Sequence, residues 1–192
     1  MIIGQDVRKS ITSHYIVHWG VPGEIHPLKI EGGEFAILEF PPRQVRPWCV
    51  LATNGMSRYV QTQHGNSFRT ELCLYTNQKQ DWMFEMLEAL ICYPEKYDTS
   101  FVEFDTIPLE RPIDGNQSVF TALMLVPPRN DANSLGVING HTIEPMYLME
   151  VIGLYETELD YSLEQGGKSL WERLASVSQT AVIDAFRSPV IF

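Results

Sequence analysis

The sequence is short of cysteine, of positive charge and of long apolar runs, and each shortage narrows what the chain can do. Cys49, Cys73 and Cys92 are odd in number, far apart and set among apolar neighbours, with no C-x-x-C pair. Such spacing offers neither a disulfide framework nor a thiolate metal site, and the three read as reduced core thiols. Lys and Arg total 14 against 24 Asp and Glu, a formal charge of −10, and the isoelectric point is near 4.9. Arg8 and Lys9 form the only adjacent basic pair. A phosphate backbone would be repelled, so nucleic acid is not an expected partner, whereas a basic protein is. No stretch approaches the roughly 18 to 20 apolar residues of a membrane span, and Met1–Asp6 lacks the basic-then-apolar order of a secretory signal. The expectation is a cytoplasmic protein with no membrane association.

What is present describes a folded globular domain. Hydrophobic residues make up 44% and charged residues 20% of 192 residues, with mean hydropathy −0.11. That length suits one domain with its own core, residues 1–192, and there is no repeat, low-complexity tract or linker to divide it.

The motifs of cofactor and nucleophile chemistry are missing as well. No P-loop lysine motif appears, and no G-x-G-x-x-G follows a predicted strand. Gly55-Met56-Ser57-Arg58-Tyr59 lacks the closing glycine of a nucleophile elbow. No cofactor is therefore expected. His14 and His18 share a helix face at i, i+4, but Tyr15 stands where H-E-x-x-H needs Glu, which favours a structural role. His26, His64 and His141 fall in loop-like stretches. Asp98, Glu103 and Asp105 crowd three carboxylates into a short segment, and two readings stay open. Asp-Thr pairs hold turns through side-chain oxygens; carboxylates with a distant His could instead serve a hydrolase or a metal-dependent enzyme. Glu156, Glu158, Asp160 and Glu164 read as a solvated helix face, acidic enough to meet a basic partner. Trp48, Trp82 and Trp171 read as packing residues.

Periodicity orders the chain as α, β, β, β, α, β, β, β, α, α, β. A helix is expected from an Asp6 cap, with Val7, Ile11, Tyr15 and His18 on one face and Gly20 and Pro22 as its stop. Strands are expected over Glu34–Phe40, Trp48–Thr53 and Thr70–Thr76, with a turn at Asn54–Ser57 and an exposed loop at Gln61–Ser67. Asn77 and Gln80 resemble a capping box for a helix carrying Met83, Met86, Leu87, Leu90 and Ile91 and ending before Pro94. Further strands are expected at Phe101–Phe104, Val119–Val126 and Tyr147–Leu154, with loops at Asp114–Asn116 and Pro127–Gly140. Leu159 and Leu163 mark a helix ended by Gly166-Gly167, and Leu170, Leu174 and Val177 mark another before a closing strand around Ala181–Phe186. Strands arriving in groups predict an α+β fold, a mixed and mostly antiparallel sheet with helices packed on it.

Particular runs then resemble the suppressor of fused (SUFU-like) family. Pro47-Trp48-Cys49-Val50-Leu51-Ala52-Thr53-Asn54-Gly55-Met56-Ser57 is similar to that family's strand and Gly-Leu/Met-Ser turn, and Arg69-Thr70-Glu71-Leu72-Cys73-Leu74-Tyr75 to its next strand. Tyr97-Asp98-Thr99 and Asp105-Thr106-Ile107-Pro108 resemble the Y-D-T and H-T-I-P segments of bacterial members, with Asp105 where many carry His. Leu125-Val126-Pro127-Pro128 fits too, as do Tyr147–Leu174, then Val182-Ile183-Asp184 and Arg187. The resemblance spans roughly residues 40 to 190.

It implies a protein that binds other proteins and is not an enzyme. In animals the resembling protein represses Hedgehog signalling by holding a transcription factor; bacterial members are proposed immunity proteins that neutralise secreted toxins. The chain matches the size of the family's N-terminal domain alone, which fits the stand-alone bacterial type better than a two-domain clamp. The expected partner is thus a protein, for instance a basic toxin domain, and self-association stays open. Met56, Arg58, Tyr59, Asp98 and Asp105 are the candidate partner-binding residues, the first three because Tyr and Arg anchors on a loop are typical of interfaces.

Overall fold

The computed structural model describes residues 5–30, 33–115, 118–128, 133–140, 142–176, 182–183 and 187–191. In chain order the elements are α1 (Gln5–Trp19), β1 (Glu24–Ile30), β2 (Gly33–Phe40), β3 (Cys49–Asn54), a 3-10 turn (Met56–Arg58), β4 (Gln61–Gln63), β5 (Asn66–Thr76), α2 (Asp81–Tyr97), β6 (Thr106–Pro108), β7 (Ala122–Val126), a second 3-10 turn (Asn133–Gly136), β8 (Val137–Ile138), β9 (Met146–Leu154), α3 (Glu156–Gln165) and α4 (Gly167–Ser176). The strands form one sheet in the order β1-β2-β3-β5-β9-β7-β6, with β4 on β5 and β8 on β9. Every pair is antiparallel except β5 with β9, which run parallel from Arg69↔Met146 to Cys73↔Glu150. This is the expected α+β architecture with a mixed, mostly antiparallel sheet.

Helices cover both faces. Phe35, Ile37, Leu51, Leu72, Leu74, Leu125 and Val151 pack with Met83, Met86, Leu87, Leu90 and Ile91 of α2. On the other face Leu38, Phe40, Ala52 and Tyr75 meet Ile11, Tyr15 and Trp19 of α1, and Met124, Val126, Ile152 and Leu154 meet Leu170 and Leu174 of α4. Two covered faces explain why β3 is buried at every position and shows no polar alternation. Among the described residues no helix is long and apolar enough to cross a membrane.

Several elements depart from the sequence expectation for physical reasons. α1 begins at Gln5, so Asp6 lies in its first turn and is not its cap. Trp19, not His18, completes the buried face. β1 stands where the sequence predicts no strand and puts His26 in a loop-like stretch; Pro27 sits inside it, a residue a sheet accepts on an edge, where β1 lies. Gln61–Ser67 is a hairpin turned at His64 (φ 50) and Gly65 (φ 80), the two positive angles of a primed turn. α2 continues through Pro94 and ends at Asp98, left-handed at φ 48, with Thr99 N–H donating to the Pro94 carbonyl at 3.0 Å. Gln80 precedes α2 without a side-chain cap, so the Asn77–Gln80 capping box does not form. Phe101–Phe104 is not a strand; Phe104 takes φ 73 and the strand starts at Thr106. Leu163 is exposed, and the buried side of α3 is Glu158 and Ser162. Of the closing strand, Val182 makes a parallel bridge to Tyr75 and Ile183 N–H donates to the Tyr75 carbonyl at 2.8 Å; Val177, 181 and 184–186 lie outside the described residues.

Candidate functional site

The two sequence runs around Gly55 and Glu71 meet inside the protein. Glu71, on β5, is fully buried, and its carboxylate accepts four hydrogen bonds from the preceding turn. Thr53 Oγ donates at 2.5 Å, Gly55 N–H at 2.9 Å, Ser57 N–H at 3.0 Å and Ser57 Oγ at 2.7 Å. Burying a carboxylate costs several kcal/mol, and each charge-assisted bond returns about 1.5–3. Gly55 is required here twice over: it sits at φ 120, and a Cβ would stand 2.8 Å from the Glu34 carbonyl. Arg69, two residues before Glu71, donates to the carbonyls of Ser57 at 2.7 Å and Arg58 at 3.1 Å, and pairs with Glu144 at 2.9 Å. Tyr15 donates to the Thr53 carbonyl at 3.1 Å; burial, then the Glu71 charge, pushes its hydroxyl well above the usual phenol range.

This fastening fixes the path of the chain beyond the turn. Arg58 stretches over the rings of Phe35 and Tyr59, 5.4 and 5.3 Å from their centroids. Tyr59 stacks on Phe35 at 6.0 Å. Burial first, then the neighbouring Glu95 of α2, push the Tyr59 hydroxyl up to about 12. Between the turn with β4 and the C-terminal end of α2 lies an open groove of about 680 Å³, lined by Arg58, Tyr59, Gln61, Glu95, Asp98 and Ser100 among others.

Three of the five candidate residues, Arg58, Tyr59 and Asp98, therefore line one groove. Met56 does not: it is fully buried in the core, beneath the turn it belongs to. Asp105 lies outside the groove lining as well. Its Oδ2 accepts from Val102 N–H at 2.9 Å and its carbonyl from Leu125 N–H at 3.0 Å, which is the turn-holding geometry. Burial raises its carboxyl above the ordinary range, the Val102 bond opposing. Glu103 points to solvent. Glu158 is buried, not solvated: it accepts from Arg187 at 2.7 and 2.5 Å, Tyr155 N–H at 3.0 Å and Val190 N–H at 3.0 Å.

Among the described residues one group of His, Cys, Asp or Glu is close enough to share an ion, namely Glu24, His26 and Glu39. Lys79 Nζ already lies 2.7 Å from Glu39 and 3.9 Å from Glu24, so the cluster is satisfied as an ion-pair network. Asp98, Glu103 and Asp105 form no such group with a histidine among the described residues; His141 lies outside them. His14 donates its Nε2–H to the Leu135 carbonyl at 3.0 Å, and burial lowers its pKa.

The sequence reading did not single out Gln61 and Glu95 as site residues. Gln61 was hidden in a polar stretch read as loop, and the signal that could have revealed it was His64-Gly65, a primed-turn dipeptide that makes its flanks strands. Glu95 follows Pro94, where the helix was expected to have ended.

The fold is shared with solved structures of low sequence identity. A SUFU (suppressor of fused protein) homologue from Neisseria gonorrhoeae superposes with TM-score 0.76 at 15% identity, covering 98% of this chain and 99% of that one. The Sufu chain of a Sufu–Fu complex gives 0.71 at 16% over 96% of this chain and 90% of its own. Drosophila Suppressor of Fused gives 0.68 at 16%, and there this chain, 96% covered, spans 50% of the larger protein. No curated protein matches. The family model of the suppressor of fused protein matches residues 32–188, and this chain belongs to the SUFU family.

Proposed function

We propose that this chain is a cytoplasmic protein-binding domain that acts without catalysis, and that it is an immunity protein whose acidic surface neutralises a basic toxin. One observation carries the reading: the exposed side of α2 and its cap holds Asp81, Glu85, Glu88, Glu95 and Asp98, with Lys96 as its only cation, and its last two acids, Glu95 and Asp98, line the groove with Arg58 and Tyr59. Such a surface speeds encounter with a basic protein and rejects acidic ones, while a few anchors supply affinity. Two comparisons support it. A related Sufu protein is found in complex with Fu, and the Neisseria homologue has the same extent as this chain.

The test is purification of the tagged chain from its source cells, with the neighbouring reading frames inspected for a toxin-like domain. A stoichiometric complex with such a protein is expected, its association rate falling steeply between 50 and 500 mM salt, on the order of tenfold. Recovery of the chain with no stable protein partner overturns the reading.

A further inference from the structure

The groove is lined by a residue with a buried hydrogen-bond donor that has no acceptor among the described residues. Gln61 is only 3% exposed. Its Oε1 accepts from Phe101 N–H at 2.6 Å, yet its Nε2 has no acceptor among the described residues. A buried donor without a partner costs stability, so each one calls for an explanation. Gln61 lines the groove. β4, which carries Gln61, pairs with β5 on one side and has no strand on the other among the described residues. Across the groove stand Glu95 and Asp98, both exposed, with Ser100 beside them.

A ligand that fits must offer acceptors to one wall and a cation to the other. A free anion meets Glu95 and Asp98 and is repelled; a simple cation leaves Gln61 unanswered. An extended polypeptide carries carbonyl acceptors at regular spacing, and a Lys or Arg side chain supplies the charge. We infer that this groove receives an extended basic peptide segment, its main-chain carbonyls on the Gln61 side and its cationic side chain between Glu95 and Asp98. This rests on the protein-binding reading and narrows it to one surface and one ligand chemistry.

The test uses the full chain labelled with ¹⁵N and a capped nonapeptide of Gly, Ser and Ala with two central Arg residues, taken to millimolar concentration. Saturable shifts are expected in the Gln61 side-chain amide and in the backbone amides of Thr62, Asp98 and Thr99. The same peptide with Glu for Arg should leave them unmoved. The surface variant Glu95→Gln with Asp98→Asn, which alters only exposed groups, should weaken the Arg peptide about tenfold. Absence of shifts, shifts mapping to another face, or equal binding of the Glu peptide overturns the inference. A cognate protein held equally tightly by the Glu95→Gln, Asp98→Asn chain also overturns it while leaving the protein-binding reading standing; failure of both chains to hold any protein removes that reading instead.

Discussion

Glu71 and Glu158 are both fully buried, and they fasten the chain in opposite ways. Glu71 is held by neutral donors, all from the single turn at 53–57. Glu158 is held by a cation, Arg187, and by backbone N–H groups from both sides of α3 in the sequence. The first is a local clamp that shapes a loop; the second is a long-range rivet that brings the C-terminal segment onto α3. A buried charge compensated by dipoles depends on their number, whereas one compensated by a counter-charge depends on that one partner.

Breaking the local clamp has the largest expected effect. Glu71→Ala leaves four buried donors unanswered at about 1–3 kcal/mol each, so a loss of at least about 4 kcal/mol is expected in urea unfolding, a large share of a typical total. A loss under about 1 kcal/mol would mean the turn finds other acceptors. Next, Glu158→Ala should cost about 3–5 kcal/mol by leaving Arg187 buried and unpaired, while the double change Glu158→Leu, Arg187→Met should recover most of it. If the double variant is as unstable as the single, the rivet is packing and not charge. Glu71 has no comparable one-partner rescue, which is the sharpest form of the contrast.

The smallest effect belongs to Asp105, a third carboxylate with one backbone donor and no cation. Burial raises its carboxyl above the ordinary value. An acid whose folded value is raised destabilises the fold when ionised, above that value, and the penalty disappears as pH falls through it toward the unfolded value. Asp105→Asn keeps an acceptor for Val102 N–H. It should therefore match or exceed the parent in stability at neutral pH and lose that advantage below about pH 4. An advantage that grows on acidification would contradict the stated cause.

How much of this was legible in the sequence depends on whether a residue's role is local. The helix face Met83–Ile91 and the strands at 34–40 and 70–76 follow from short-range periodicity, and they stand where expected. Gly55-Met56-Ser57 and Arg69–Glu71 could be read as family wording, but their meeting could not, because sixteen residues and a hairpin separate Gly55 from Glu71. Arg58, Tyr59 and Asp98 were nameable as interface types, whereas their sharing a groove needed α2 to run past Pro94. Glu158 misled because a buried acid and a solvated one look alike until Arg187, 29 positions later, is placed beside it.

The parallel pairing of β5 with β9 also dictates the order in which this molecule can be assembled. β9 enters between β5 and β7, about seventy residues after β5 ends. Until it arrives on the ribosome-borne chain, two long strand edges stand open at the centre of the future sheet, templates for the wrong neighbour. The last central strand to be synthesised is thus the one that seals the protein against aggregation.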